Sequence, residues 1–327
     1  MILSDKQSLR KCVKMLVRHT ETADIGCFNP FLDDLGVIPM LGSFPGGTHL
    51  AANSDQGTPI TDGAATLYAA FDALGISLTN LEEADAQQKR YSREAWIREI
   101  LDVMPAKCIL LEVPVNTEQS PADMDNRFVP VVRVEQEQIK IGRYGYNLEA
   151  EAARMYENCV RFGTRQIKLN GYQEDFLRFC ILPLCEDHNL ILHIQMNNAR
   201  DMERFVRLLQ MFPAARCVVY ASQDTEPALI HAASTRPRLF ATVQAAENYD
   251  LALSCLGFRF LPQASFASLP EQMLGCWILK REQLYEVLSD RYLPLARAGY
   301  ELTDEAIEAD IKQLLSGNFM AFCGLNK

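Results

Sequence analysis

Glu112, Arg133, Lys168 and His193 each stand at or near the end of a short apolar run, in "KCILLEVPV", "RFVPVVRV", "RQIKLN" and "LILHIQM". Side chains of these types support three kinds of chemistry. An arginine fork grips a carboxylate through two parallel N–H bonds. A lysine gives up a proton or, once neutral, attacks a carbonyl. A histidine carries protons near neutral pH or ligates a metal. Asn170 and Gln195, two residues beyond Lys168 and His193, add neutral hydrogen-bonding groups at equivalent places. Further runs lead to Tyr220, Gln244, Gln263, Ser265, Lys280 and Arg281, and the segment from Gly26 to Asn29 closes the first run.

Each of these assignments has a plainer counterpart. His193 is a pocket base or a histidine satisfied by neighbouring backbone. Arg133 is an anion clamp or an ion-pair partner of Glu112. Lys168 is an amine base or the partner of Glu112 or Glu135, because structural ion pairs produce the same pattern. Arg281 is a second anion contact or a residue of the surface or of a helix start. Cys185 and His188, three apart on a helix, read as a core thiol beside a solvated imidazole. His49 lies in a Gly-rich loop, and Trp96 and Trp277 read as core.

The elements that must position these groups alternate along the chain. Leu9, Cys12, Val13, Leu16 and Val17 mark one face of a first helix, with Ser4 and Gln7 at capping-box spacing. "TADIGCF" follows as a strand. Residues 29–104 form a mostly helical insertion, with helices near 62–74, 81–90 and 92–103 and Gly75 as a stop. Beyond Lys107, strands alternate with helices near 148–162, 173–188, 199–211, 225–234 and 247–256. "RCVVYA", "RLFATVQ", "FRFLPQA" and "CWILK" are the later strand candidates. Helices near 282–298 and 303–316 end the chain, with Gly299 and Gly317 as stops. Nearly continuous apolar strands separated by helices imply a parallel sheet. Nine candidates for eight places, with no Gly-rich phosphate turn, favour an α/β (β/α)8 TIM barrel over a dinucleotide fold. Residues 1–327 read as one domain containing the insertion. In such a barrel the chemistry gathers at the C-terminal ends of the strands.

Composition removes several classes of function. The 327 residues carry a formal charge of -10, which gives no general attraction to a phosphate backbone. No nucleic-acid partner is expected. The N-terminus has no apolar leader and no run is long enough to span a bilayer, so no membrane partner and a cytoplasmic location are expected. The ten cysteines form no CxxC pair and read as reduced core residues. A homo-oligomer is compatible with such a chain.

The order of these pieces resembles the amidohydrolase superfamily, and within it the uronate isomerases. "ADIGCF" stands where that family's first strand ends in a His-x-His pair. "GTPITDGAATLYAAFDALGI" resembles the family's helical insertion, "PAKCILLEVPV" its next strand, and "FVPVVRVE" its Phe-Arg-Pro-Asp strand. "ILHIQ" resembles its single-histidine strand, and "QAAENYDLALSCLGFRF" and "IEADIKQLLSGNFMAFCGL" its closing segments.

The resemblance implies a metal-assisted sugar-acid enzyme, but several expected groups differ. The first-strand imidazoles would stand at 26 and 28, where the chain has Gly26 and Phe28. The fifth-strand histidine is His193. A last-strand aspartate is replaced by Leu279 if "CWILKR" is that strand, or by Ser265 if "FRFLPQASF" is. A sixth-strand histidine would be Tyr220 or Ala221, Phe266 stands near the family's tryptophan, and Lys168 and Asn170 occupy the place of an acidic group. One histidine cannot hold a catalytic ion that normally needs about three protein ligands. No cofactor is therefore expected, with Zn or another divalent metal on Glu112, His193 and His49 as the alternative.

The resemblance then implies a small sugar acid as ligand. Arg133, Arg281, Glu112 and Asn170 would bind it, and His193 or Lys168 would move a proton. A non-catalytic barrel that keeps the pocket for binding or regulation is the competing expectation, and a hydrolase with relocated metal ligands is the third.

Overall fold

In the computed structural model, the described residues are 6–26, 60–76, 86, 89–113, 119–134, 148–265, 267 and 269–325. Eight strands form one sheet, ordered along the chain as β1 (Thr22–Gly26), β2 (Ala106–Val113), β3 (Phe128–Val134), β4 (Gln166–Leu169), β5 (Ile191–Met196), β6 (Arg216–Ala221), β7 (Leu239–Thr242) and β8 (Phe260–Leu261). Each strand pairs in parallel with the next, from β1 to β8. With helices on the outside, this is a (β/α)8 barrel, as the alternation of elements predicts.

β1 and β8 share no ladder pairing among the described residues, and side chains bridge the gap between them. The buried Asp24 carboxylate of β1 accepts hydrogen bonds from the Ser265 backbone N–H (2.9 Å) and from Gln263 Nε2 (3.1 Å), both just beyond β8.

The outer layer follows the helical periods. α1 (Lys6–His19) buries Leu9, Cys12, Val13 and Val17. Between β1 and β2 lie α2 (Ile60–Ala73) and α3 (Arg93–Val103). After β3 comes α4 (Leu148–Arg161). After β4 comes α5, which runs from Glu174 through one π turn at Leu177–Ile181 to His188. α6 (Ala199–Leu208), α7 (Glu226–Thr235) and α8 (Tyr249–Leu256) follow β5, β6 and β7. The long α9 (Pro270–Arg297), α10 (Asp304–Lys312), a π turn at Gln313–Gly317 and α11 (Asn318–Cys323) complete the chain.

Several expected boundaries are corrected. "CWILK" is not a strand but part of α9, which begins at Pro270 rather than near 282. Met273, Leu274, Trp277, Arg281, Leu284 and Leu288 are buried at helical spacing. Pro270 sits in the first turn, and the Gln272 side chain accepts the Leu269 N–H at 3.2 Å, which together fix the start. Gly275 is needed where α9 meets α2, since a Cβ there would lie 1.9 Å from the Thr66 carbonyl oxygen. Gly317 does not stop the last helix. It sits in the π turn, and the chain stays helical until Gly324, whose φ of +65° ends it. Gly75, Gly163 and Gly299 do end their helices with positive φ. Ser4 and most of the proposed 81–90 helix lie outside the described residues.

The barrel has one apolar end and one polar end. Ala23, Cys108, Leu110, Val131, Ile191, Val218, Phe240 and Leu261 fill its interior with Phe319, Met320 and Cys323 of α11. Phe319 and Phe322 pack on Phe240 at centroid distances of 5.6 and 5.2 Å. The Phe322 carbonyl accepts from Arg216, the first residue of β6, so α11 closes the end where strands begin. Of the nine described cysteines, seven are buried and none is in a disulfide. Among the described residues, no helix is long and apolar enough to cross a membrane.

Candidate functional site

The strand ends opposite α11 carry a ring of polar groups. Parallel registry sets Arg133 beside Lys168 and Lys168 beside His193, while Gln195 lies beside Tyr220. Glu112 of β2 contacts the Lys168 ammonium directly and lies 3.7 Å from Arg133 Nη1. The three groups differ in access. The Lys168 and Glu112 side chains are 4% and 9% exposed, whereas Arg133 is 48% exposed. Lys168 and Glu112 thus form a buried pair, and Arg133 reaches toward solvent beside it. Asn170 follows β4 and is partly buried.

His193 is held on both ring nitrogens. The chain of contacts fixes its tautomer. The Cys323 carbonyl can only accept, so the Gln166 amide nitrogen faces it, at 3.1 Å. Gln166 Oε1 therefore faces His193 Nε2, at 2.8 Å, and that nitrogen carries the proton. His193 Nδ1 then accepts from the Tyr220 hydroxyl. The ring is 1% exposed. Burial, with a further contribution from the Lys168 charge, pulls its pKa down to about 3. In this arrangement His193 is a neutral connector between β4, β5, β6 and α11. Its lone pair is not open to a substrate proton.

Beside this ring, a cavity of about 340 Å³ opens at the ends of β5, β6 and β7. That is within the roughly 300–1,000 Å³ common for small-molecule pockets. Its wall is rich in neutral hydrogen-bonding side chains: Gln195, Asn197, Tyr220, Ser222, Gln223 and Gln244. Glu226 and Lys280 supply one charge of each sign. Both hold the segment that bears Gln244. Glu226, the first residue of α7, accepts the backbone N–H groups of Gln244 (2.6 Å) and Ala245 (3.2 Å) and the Asn248 amide (2.9 Å). Burial nevertheless raises its pKa. Lys280 Nζ donates to the Gln244 carbonyl at 2.5 Å.

The sequence-derived candidates separate into two groups. Glu112, Arg133, Lys168, Asn170 and His193 lie on or just beyond adjacent strands, while Gln195, Tyr220, Gln244 and Lys280 line the cavity. Arg281 is corrected. It lies inside α9, 2% exposed, and its guanidinium donates to the carbonyls of Val17 and Thr20 at the end of α1, with Trp277 4.1 Å from its Cζ. Leu279 is likewise in α9, so it does not stand at a last-strand position, and Ser265 follows β8. Phe28, Asn29, His49, Glu135 and Phe266 lie outside the described residues.

Sequence reasoning missed Gln166, Asp24, Asn197, Ser222, Gln223 and Glu226. Gln166 had a signal, since it lies two residues before Lys168 and strand alternation puts both on one face. Glu226 had none, because its ligands are backbone groups of a distant loop.

Among the described residues, these groups are engaged with one another. Both nitrogens of His193 are engaged, and Glu112 faces two cationic side chains. Among the described residues, no three His, Cys, Asp or Glu side chains are placed to share an ion.

Among solved structures, the chain is similar to a uronate isomerase of Bacillus halodurans, with a TM-score of 0.83 and 17% sequence identity. The match covers 99% of this chain and 98% of that one. At that identity the likeness is one of fold. No family pattern and no curated protein sequence matches the chain.

Proposed function

We propose that the mouth of the barrel binds a small sugar acid and does so without a metal centre. The carboxylate meets Arg133 at the end of β3, and the hydroxyl groups meet the amides and hydroxyls of the cavity at the ends of β5, β6 and β7. The single observation behind this reading is the pairing of a half-exposed guanidinium, set beside the buried Glu112–Lys168 pair, with a pocket walled mostly by neutral donors and acceptors. Guanidinium suits a carboxylate, and a wall of Gln, Asn and Ser suits a polyol. Similarity in fold to a uronate isomerase is consistent with a ligand of this class.

Catalysis is the second reading, and one observation favours it. Lys168 and Glu112 place a proton donor and an acceptor in contact beside Arg133. Isomerising a uronate moves a proton between adjacent carbons, and a donor–acceptor pair of this kind can do that while the ammonium stabilises the enediolate. His193 takes no direct part. Its role is to hold the Tyr220 hydroxyl in the cavity wall.

Calorimetric titration with glucuronate and galacturonate tests the binding claim. Saturable binding is expected, weakened by about tenfold or more in Arg133→Ala, with unchanged thermal stability. Absence of binding by the wild-type protein, or equal affinity in the variant, overturns it. Turnover seen by NMR with chelator present, and lost in Lys168→Met under conditions where circular dichroism shows that variant still folded, would select the catalytic reading.

A further inference from the structure

A second charged cavity lies on the outer wall of the barrel, between α5 and α6, with a volume of about 510 Å³. Arg178 of α5 faces Arg200, Arg204 and Arg207 of α6 across it, and Glu174 and Glu203 also line it. Four guanidinium groups against two carboxylates leave a surplus of two positive charges, on a chain whose formal charge is -10. Among the described residues, none of the four arginines lies within ion-pair distance of a carboxylate, although others on this surface do.

Like charges crowd one side of α6, and Glu203, three residues after Arg200 and four before Arg207, offsets only part of that. Arg200, Arg204 and Arg207 recur at i, i+4 and i+7, so like charges stack along one face of α6. Such pairs each cost a few tenths of a kcal/mol, and Arg200 also sits in the first turn, where a cation opposes the helix dipole. The N-terminus of α6 is already capped by Asn198, which accepts the Asp201 N–H at 2.9 Å. The positive field of the groove therefore comes from side chains. A ligand with several adjacent negative charges would offset the repulsion and use the planar forks of all four arginines.

We propose that this groove binds a small molecule carrying two or more linked phosphate groups, at a site separate from the barrel mouth. The acidic remainder of the surface favours a compact polyanion over a long nucleic-acid chain, which the net charge repels.

Titration of the full chain with inorganic tripolyphosphate at low ionic strength provides the test. One saturable site is expected, weaker at higher salt. Arg178→Gln/Arg204→Gln should weaken it by about tenfold or more, with an unchanged circular dichroism spectrum. Arg200→Gln/Arg207→Gln, both at exposed positions, is the second pair should the first not fold. Arg133→Ala should leave tripolyphosphate affinity intact, which separates this site from the mouth. The proposal is overturned by the absence of saturable binding, by equal affinity in a folded double variant, or by orthophosphate binding as tightly as tripolyphosphate. Single-stranded RNA that binds more tightly and is lost in the same variants also overturns it.

Discussion

Lys168→Met is expected to lower the unfolding free energy by about 3–5 kcal/mol, the loss typical when one member of a buried ion pair is removed. The cause is desolvation. Glu112 is nearly as buried as Lys168, and its Lys168 contact is closer than its 3.7 Å approach to Arg133. Taking the ammonium away leaves a carboxylate in a poorly hydrated place without its nearest counter-charge. Glu112→Leu should be costly for the mirrored reason. The double variant Lys168→Met/Glu112→Leu should recover most of the loss, because apolar side chains of similar volume replace both charges. A double-mutant cycle by urea unfolding measures this directly. Single variants that lose less than about 1 kcal/mol would mean that water screens the pair as it screens a surface bridge.

The second large effect is acid sensitivity centred on His193. The folded protein holds this imidazole neutral, with a pKa of about 3, against 6.5 for an unperturbed group. Between those values the unfolded chain binds a proton that the native state refuses. Stability from this site is therefore complete above about pH 6.5 and falls as the pH drops toward 3, with a slope near 1.4 kcal/mol per pH unit. Protonation would also put a cation beside Lys168 and break the hydrogen bond that Nδ1 accepts from Tyr220. His193→Gln keeps a donor and an acceptor but cannot titrate. Its stability should be lower at pH 7 and flatter from pH 6 to 4. Parallel curves for the two proteins across that interval would place the ring in contact with water and contradict its role as a buried connector between Gln166 and Tyr220.

The eight barrel strands were legible because parallel strands buried on both faces are short apolar runs, and from β3 onward a helix follows each strand. The one false strand, "CWILK", shows the limit of that signal. A brief apolar run fits a buried strand and a buried helix equally well. The surrounding residues decide: Pro270, Gln272 and the spacing from Met273 to Leu288 extend the helix on both sides. Misplacing that run moved Arg281 to a strand end, whereas its guanidinium serves the carbonyls that end α1.

At the site, strand-end position was enough to select Glu112, Arg133, Lys168 and His193. It could not tell which of them were committed to one another. That depends on register, which puts Arg133, Lys168 and His193 in one row, and on Gln166, which meets His193 Nε2 while its amide donates to the Cys323 carbonyl. The closing bridge from Asp24 to Gln263 and Ser265 was hidden for a related reason, since its partners are separated by about the length of the barrel sequence.

The most direct test of a metal-free sugar-acid site is glucuronate affinity measured by calorimetry on protein dialysed against excess chelator, then again after addition of Zn. The two affinities should agree, and metal analysis of the dialysed protein should find less than stoichiometric metal. Binding that disappears with chelator and returns with one equivalent of Zn would contradict the account.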